Sequence, residues 1–230
     1  PDPPGNTNLL WIEVEGASGG NGNNQDGDCF NKPGSSSAGG NAATLTFSIS
    51  GANSDSYAGG MSSGGVGGNG GDGVCDDGRG GSSGGNAGNI SINLSDNAQI
   101  VNNINALFDL DDDPYIFGLI GSALAGNGGN GGKSDDGTPG NGGSGGMTES
   151  SADTGYGAGT VDITIDATST ISTSSALFSV GVIGQSAGGQ GGNAGGGGKA
   201  PWAKNASGGN GGFSGPVLSL IHISEPTRRD

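Results

Sequence analysis

The chain has 230 residues with a formal net charge of −15 at pH 7, and 56 of the residues are glycine. Leu, Ile, Val and Phe together number only 39, a composition in the range of disordered proteins. The acidic balance argues against nucleic acid and anionic membranes as partners, because the chain lacks a basic surface for phosphates. No apolar run approaches the ~20 residues that span a bilayer, so we expect no membrane insertion by this chain.

Apolar residues nevertheless fall in short runs that alternate with polar residues, beginning with Leu10, Ile12 and Val14. Three later runs align without gaps, with further apolar positions at Ile100 and Ile171: Leu45, Phe47, Ile49; Ile90, Ile92, Leu94; and Val161, Ile163, Ile165. A period of two predicts strands with one buried face, and recurrence is typical of repeat proteins. We therefore expect an ordered chain rather than a coil.

A second block recurs after the strands, since residues 117–132 and 180–195 are identical at eight of sixteen positions. The glycine-rich connectors that follow have a period of three, with side chains at Asn127, Asn130 and Lys133, and at Gln190, Asn193 and Lys199. Three residues per turn is the period of a polyproline-II helix, and glycine lets such helices approach closely. We expect a small bundle beside the strands, with flexible linkers as the alternative for its tips.

The predicted fold class is all-β, a parallel β-solenoid with glycine-rich polyproline-II-like connectors stacked beside it. Residues 1–217 form one repetitive unit, with repeats at about 9–40, 41–85, 86–146 and 147–212. The chain begins without methionine, so we expect the true N-terminus to lie upstream. Residues 218–228, reading LSLIHISEPTR, resemble a translated sequencing adapter, so residues 218–230, with the single histidine His222, are interpreted as an artefact. A genuine apolar tail is the alternative.

The segment from Ser179 to Asn193 reads SVGVIGQSAGGQGGN. In each repeat an alternating strand and a variable stretch precede a segment of this kind. This order resembles the repeats of large autotransporter-type passenger domains of Gram-negative bacteria. Those repeats read Gly-Ile-x-x-Gln-Ser before a glycine-asparagine run. The last copy keeps Gln185 and Ser186, whereas the middle copy has Ser122 and Ala123. The resemblance implies a β-solenoid exported through the outer membrane and displayed on the cell surface as an adhesin or filament.

With His222 set aside, the sequence has no histidine for nucleophilic or acid–base catalysis and no Gly-x-x-x-x-Gly-Lys-Ser/Thr phosphate-binding loop, so we expect no enzyme. The acidic cluster Asp109, Asp111, Asp112 and Asp113 could bind calcium through its carboxylate oxygens, with a solvated acidic loop as the alternative. No other cofactor is expected. Residues 67–75 match a calcium-binding nonapeptide once, which we interpret as chance because such sites form between tandem copies.

Five aromatic residues could stack on sugars or cover the ends of a small core: Trp11, Tyr57, Tyr115, Tyr156 and Trp202. The two cysteines lie in equivalent connectors, Cys29 eleven residues before Gly40 and Cys75 ten before Gly85. Stacking the repeats would bring them within disulfide distance, so the sequence predicts a Cys29–Cys75 disulfide formed in an oxidising compartment. Two unrelated thiols are the alternative.

The predicted function is that of a non-catalytic, secreted or outer-membrane-displayed surface protein with a structural or adhesive role. Its partners would be host-cell, polysaccharide or self surfaces. Ice binding is one alternative, although a regular threonine row is expected for it and only Thr168, Thr170 and Thr173 come near one. A phage receptor-binding adhesin of glycine-rich helices and a polysaccharide-cleaving enzyme acting through paired carboxylates are the others.

Overall fold

The computed structural model describes residues 9–25, 31–51, 54–55, 57–102, 115–146, 159–173, 178–197 and 203–221. Within these ranges the chain forms strands and no helix. The strands are β1 (Leu9–Glu15), β2 (Leu45–Ser50), β3 (Ser54–Asp55), β4 (Tyr57–Ser63), β5 (Ile90–Ser95), β6 (Gln99–Asn102), β7 (Tyr115–Leu124), β8 (Val161–Ile165), β9 (Thr170–Thr173), β10 (Phe178–Ala187) and β11 (Val217–Ile221).

Strands from successive repeats lie side by side in three parallel sheets. The first sheet has the order β1-β4-β7-β10, the second has the order β11-β8-β5-β2, and the third has the order β3-β6-β9. In the second sheet Leu45 pairs with Ile90, and Ile90 with Val161. In the first sheet Phe117 pairs with Val180. These registers confirm the gapless sequence alignments of both blocks.

Four layers follow one another along the chain. Each layer contains a strand of the first sheet, an outgoing glycine-rich segment, a returning glycine-rich segment and a strand of the second sheet. The outgoing segments are residues 16–25, 64–73, 125–134 and 188–197. The returning segments are residues 33–44, 78–89, 138–146 and 203–216. We call these eight segments together the glycine-rich bundle.

The predicted fold class, an all-β parallel β-solenoid with connectors stacked beside it, is wrong. The described strands divide into three separate sheets of four, four and three strands. More of the described residues lie in glycine-rich segments outside any sheet than in strands. The physical reason is that glycine offers no side chain to bury, so these segments satisfy their backbone polar groups through one another instead of extending the sheets.

The apolar core lies between the sheets and draws its large side chains mainly from the second one. Of the nine positions predicted to point inward, Phe47 is half-buried and the other eight are buried. The buried eight are Leu45, Ile49, Ile90, Ile92, Leu94, Val161, Ile163 and Ile165. The third sheet adds Ile100, which is also fully buried. Alternation with a period of two therefore located the inner face correctly.

The first sheet faces this core with a group of glycines beside the fully buried Leu119. Gly60, Gly121 and Gly184 occupy one register column. A Cβ added at Gly121 would lie 2.8 Å from Cγ1 of Val161, so the missing side chain leaves room for a branched residue of the second sheet. Because a narrow core tolerates little overpacking, these three positions must stay small.

Two hydrogen-bonded serines join the first sheet to the bundle. Ser62 is fully buried, and its hydroxyl donates to the carbonyl of Ala43 at 3.1 Å while accepting from the N–H of Gly88 at 2.9 Å. Ser186 in the same way donates to the carbonyl of Gly159 and accepts the N–H of Gly215, both at 2.9 Å. These bonds fix where each returning segment re-enters the sheets.

A turn after β5 leads to the third sheet and is stabilised from the next layer. Asp96 and Asn97 have positive φ of 55° and 63°, a conformation that Asp and Asn tolerate better than most residues. The carboxylate of Asp166 accepts the N–H of Asp96 at 2.9 Å and the N–H of Ser169 at 2.8 Å. Hydrogen bonds from Ser169, Asp96 and Thr168 lower the pKa of Asp166 to about 2.

The segment interpreted as adapter-derived begins within β11. Val217 pairs with Val161, and Leu218 with Asp162. The side chains of Leu218 and Leu220 are 61% and 63% exposed, so they add little to the core. Residues 222–230 lie outside the described part of the chain, and the artefact interpretation stays a prediction.

Candidate functional site

The outgoing segments of successive layers bond to one another at every third residue. Between layers 1 and 2, four N–H groups donate to four carbonyls: Gly16 to Ser63, Gly19 to Val66, Gly22 to Asn69 and Gln25 to Asp72. The same spacing continues from layer 2 to layer 3 and from layer 3 to layer 4. A three-residue period is that of a polyproline-II helix, whose backbone has no internal hydrogen bonds and therefore pairs with neighbouring segments where it is buried.

Outgoing and returning segments also bond to each other in an alternating series. The N–H of Gly85 donates to Gly65, that of Gly126 to Gly85, and that of Gly146 to Gly126, at 2.7, 2.9 and 2.7 Å. An added Cβ at Gly126 would overlap the carbonyl oxygen of Gly65, so this approach requires glycine. The bundle is therefore two segments wide, and its side chains lie on the two outer sides.

The side chains on these sides form a repeated contact that we call a clamp. In a clamp, the side-chain oxygen of Asn or Asp accepts the backbone N–H of a residue in the next layer. The residue after that Asn or Asp then donates its own N–H to the carbonyl of the same next-layer residue. Both backbone polar groups of one residue are thus satisfied by two consecutive positions of the layer before it.

The longest series of clamps is the asparagine row, formed by Asn21, Asn69, Asn130 and Asn193. Oδ1 of each of the first three accepts the N–H of the next, at 2.9, 2.8 and 2.9 Å. The glycine after each one donates to the carbonyl of the next, at 2.8 to 2.9 Å. All four side chains are exposed, so the row runs across four layers on the outgoing side of the bundle.

Shorter rows flank the asparagine row. On the same side Asn24 clamps Asp72, Asp72 clamps Lys133, and Asn127 clamps Gln190. On the returning side Asn41 clamps Asn86, and Asn141 clamps Ser207. Since Asp72 accepts from Lys133 as an asparagine would, the clamp requires the side-chain oxygen and not the amide nitrogen.

The amide nitrogens are what the rows present to a ligand. In the asparagine row Oδ1 of Asn21, Asn69 and Asn130 is directed at the next layer. Among the described residues, the amide nitrogens of this row have no hydrogen-bond acceptor. Neighbouring parallel chains lie ~4.8 Å apart, and clamps three residues apart on one segment are separated by ~9 Å. The surface therefore offers regularly spaced hydrogen-bond donors on a backbone that is itself bonded in two directions.

The predicted calcium ligands are not tested by the structure. Asp109, Asp111, Asp112 and Asp113 all lie outside the described residues. Across the ranges that the structure does describe, there is no group of three or more His, Cys, Asp or Glu side chains that could hold a metal ion. In the single nonapeptide match, the Asp72 carboxylate accepts the N–H of Lys133 at 2.7 Å and so takes part in a clamp.

Of the two cysteines, only Cys75 is described. It lies in the turn between the outgoing and returning segments of layer 2 and is disulfide-bonded. The N–H groups of Val74 and Cys75 donate to Oε1 of the buried Gln25 at 2.9 and 3.1 Å, which ties this turn to layer 1. Cys29 lies outside the described residues, and its pairing with Cys75 stays a prediction.

Among the aromatic residues, Trp11 has a described environment. It is 38% exposed on β1, and a Cβ added at Gly59 would lie 2.6 Å from Cζ3 of Trp11, so the indole covers that glycine. Tyr57 and Tyr115 begin β4 and β7. Tyr156 and Trp202 lie outside the described residues.

Comparisons of the chain with protein-family models, curated proteins and solved structures found no match. The resemblance to autotransporter passenger repeats therefore stays a prediction. A search of the described residues for a helix long and apolar enough to cross a membrane found none.

Sequence reasoning found the three-residue period of the connectors but not the clamps. The available signal was the recurrence of an oxygen-bearing side chain directly before glycine, as at Asn69, Asn130 and Asn141. This signal could not show that each oxygen accepts from the next layer, because the partners are separated by 48 to 66 residues in sequence.

Proposed function

We propose that the chain is part of a non-catalytic, exported surface protein with a structural or adhesive role, and that the asparagine row contacts a polysaccharide. The observation that carries this proposal is the exposed row of Asn21, Asn69, Asn130 and Asn193, in which the oxygens of the first three are engaged and their amide nitrogens point away from the clamps. Export and surface display rest on the resemblance of the repeats.

A polymer with repeating hydroxyl groups suits such a surface better than a compact ligand does. Amide N–H groups donate to hydroxyl oxygens, and their spacing is set by a backbone hydrogen-bonded between layers and between segments. A preorganised donor row loses little conformational freedom on binding. Many weak contacts along one polymer then act together, so useful avidity does not require a deep pocket.

The test is a matched pair of Asn→Asp double variants. Asn69→Asp/Asn130→Asp keeps both clamp oxygens, as Asp72 shows, but removes the amide donors of the row. Two lost hydrogen bonds of about 1 kcal/mol each should weaken binding to a polysaccharide array at least about tenfold. The control, Asn41→Asp/Asn141→Asp, adds the same charge on the returning side and should bind as the unmodified chain does.

Three outcomes would contradict the proposal. They are an unmodified chain that binds no polysaccharide of a broad array, two double variants that are weakened equally, and hydrolysis of a polysaccharide by the purified chain. Circular dichroism of both variants is the folding control, because each must retain the spectrum of the unmodified chain for the binding comparison to count.

Ice binding is the second candidate, and the regularity of the same row is what favours it. The threonine row that this function was expected to need does not form, since Thr170 pairs with Gln99 and Thr173 with Asn102. The hydroxyl of Thr168 accepts the N–H of Asn97 at 3.0 Å within a turn. Ice binding would replace the first proposal if the unmodified chain shows thermal hysteresis but binds no polysaccharide, and if the Asn69→Asp/Asn130→Asp variant loses the hysteresis.

A further inference from the structure

Six asparagines of the described chain are followed directly by glycine, the sequence in which asparagine deamidates most readily. They are Asn21, Asn69, Asn127, Asn130, Asn141 and Asn210. The reaction begins when the glycine nitrogen attacks Cγ of the asparagine. It therefore needs a glycine N–H that is not held elsewhere, an amide side chain free to rotate, and space for the backbone to rearrange.

At five of these asparagine-glycine steps, none of the three conditions is met, because of the clamps and the close packing of the glycine. The glycine N–H groups of Gly22, Gly70, Gly128, Gly131 and Gly142 donate to next-layer carbonyls at 2.8 to 2.9 Å. The oxygen of each preceding asparagine accepts a next-layer N–H at 2.8 to 2.9 Å. Each of the five glycines is also packed so closely that an added Cβ would overlap a neighbouring carbonyl oxygen.

The step at Asn210 and Gly211 differs in each respect. Layer 4 has no further layer beside it in the described part of the chain, and within that part neither Oδ1 of Asn210 nor the N–H of Gly211 has a hydrogen-bond partner. Both residues are exposed, and the nearest atom to an added Cβ at Gly211 is 3.7 Å away. The flanking bonds remain, since the carbonyl of Asn210 accepts from Gly145 and Gly212 donates to Gly189.

We propose that the clamps protect five asparagine-glycine steps from deamidation and that Asn210 is the modification site of the folded chain. The backbone nitrogen of Gly211 gives its proton to water and forms a bond to Cγ of Asn210. The bond from Cγ to Nδ2 breaks, and the side-chain nitrogen leaves as ammonia. Water then opens the resulting succinimide at either carbonyl, which yields aspartate or isoaspartate at position 210.

Protection matters for the asparagine row because deamidation there would convert neutral donors into carboxylates. Carboxylates on adjacent layers would lie ~4.8 Å apart, and like charges at this distance repel one another in a chain that is already strongly acidic. The clamps therefore preserve the chemical character of the surface as well as its geometry. The inference itself does not depend on what that surface binds.

The chain contains its own matched controls for the test. Asn69, Asn127, Asn130, Asn141 and Asn210 all lie within the same four-residue sequence, Gly-Asn-Gly-Gly, so their intrinsic reactivities are equal. The whole chain is incubated at mildly alkaline pH, and peptide mapping by mass spectrometry with isoaspartate detection follows each site. Because a clamped step must open locally before it reacts, Asn210 should convert at least about tenfold faster than Asn141.

The same incubation in guanidinium chloride should bring the five matched sites to similar rates. A folded-state rate at Asn210 no higher than at Asn141 would overturn the proposal, as would an equal difference between them in denaturant. The variant Gly211→Ala should slow conversion at Asn210 alone and lower its isoaspartate. Unchanged conversion in that variant would exclude attack by the Gly211 nitrogen.

Discussion

The apolar core and the glycine-rich bundle are stabilised by different interactions. In the core, side chains such as Ile92 and Ile163 are removed from water, each contributing about 1.5–3 kcal/mol. In the bundle, backbone hydrogen bonds contribute about 0.5–1.5 kcal/mol each, against about 1–2 kcal/mol for fixing each residue. These hydrogen bonds do not by themselves offset the entropy lost on ordering the bundle, so the bundle depends on the strands to hold its register, through contacts such as those of Ser62.

The largest expected effect comes from placing a charge in the core. Ile92→Asp leaves a carboxylate without a partner at a position that is 1% exposed, which costs about 3–5 kcal/mol. Because the bundle depends on the strands, both regions should unfold together. Circular dichroism and hydrogen exchange of bundle amides should show this loss.

The matched control for that variant is Asn93→Asp on the same strand. Asn93 lies on the opposite face of β5, where its side chain is partly exposed. The free energy of unfolding of the Asn93→Asp variant should therefore be almost unchanged. Bundle amides that stay protected in the Ile92→Asp variant would show that the bundle folds independently of the core.

An intermediate effect is expected from adding one methyl group to the bundle. Gly126→Ala would force its Cβ against the carbonyl oxygen of Gly65, and overpacking of this kind costs about 1–3 kcal/mol. Removing one methyl from the core, as in Ile92→Val, should cost only about 0.5–1.5 kcal/mol. Chemical denaturation measures both free energies of unfolding. The control is Gly196→Ala, which should be nearly neutral because no atom lies within 4 Å of the added Cβ. Equal losses of stability in the Gly126 and Gly196 variants would refute the packing argument.

The smallest expected effect concerns the turn that joins the second and third sheets. Since the pKa of Asp166 is lowered to about 2 from 3.8, the folded chain prefers the charged carboxylate. The stability it contributes is fully present above pH 3.8 and is lost as the pH falls through about 2. Melting temperatures measured across this range should fall more for the unmodified chain than for Asp166→Asn. Parallel pH profiles of the two proteins would argue against this role.

The two regions also differed in how well the sequence predicted them. In the core, the alternating runs from Leu45, Ile90 and Val161 predicted the strands, their register and their buried faces, because side-chain direction in a strand follows directly from position. The fold class built on the recurrence of these runs was nevertheless wrong, because the described strands divide into three sheets. In the bundle, the three-residue period was visible, but the pairing of its segments was not. Glycine has no side chain whose pattern could show which segments are neighbours.

The sequence by itself determined the repeat, the inner faces of the strands and the composition that permits close backbone approach. Only the tertiary structure decided that the strands divide into three sheets and that asparagine oxygens bond to the next layer. The physical reason is distance along the chain. Alternation is a local property, whereas the clamp of Asn69 on Asn130 joins a side-chain oxygen to a backbone N–H 61 residues away, and these groups become neighbours only after the layers have stacked.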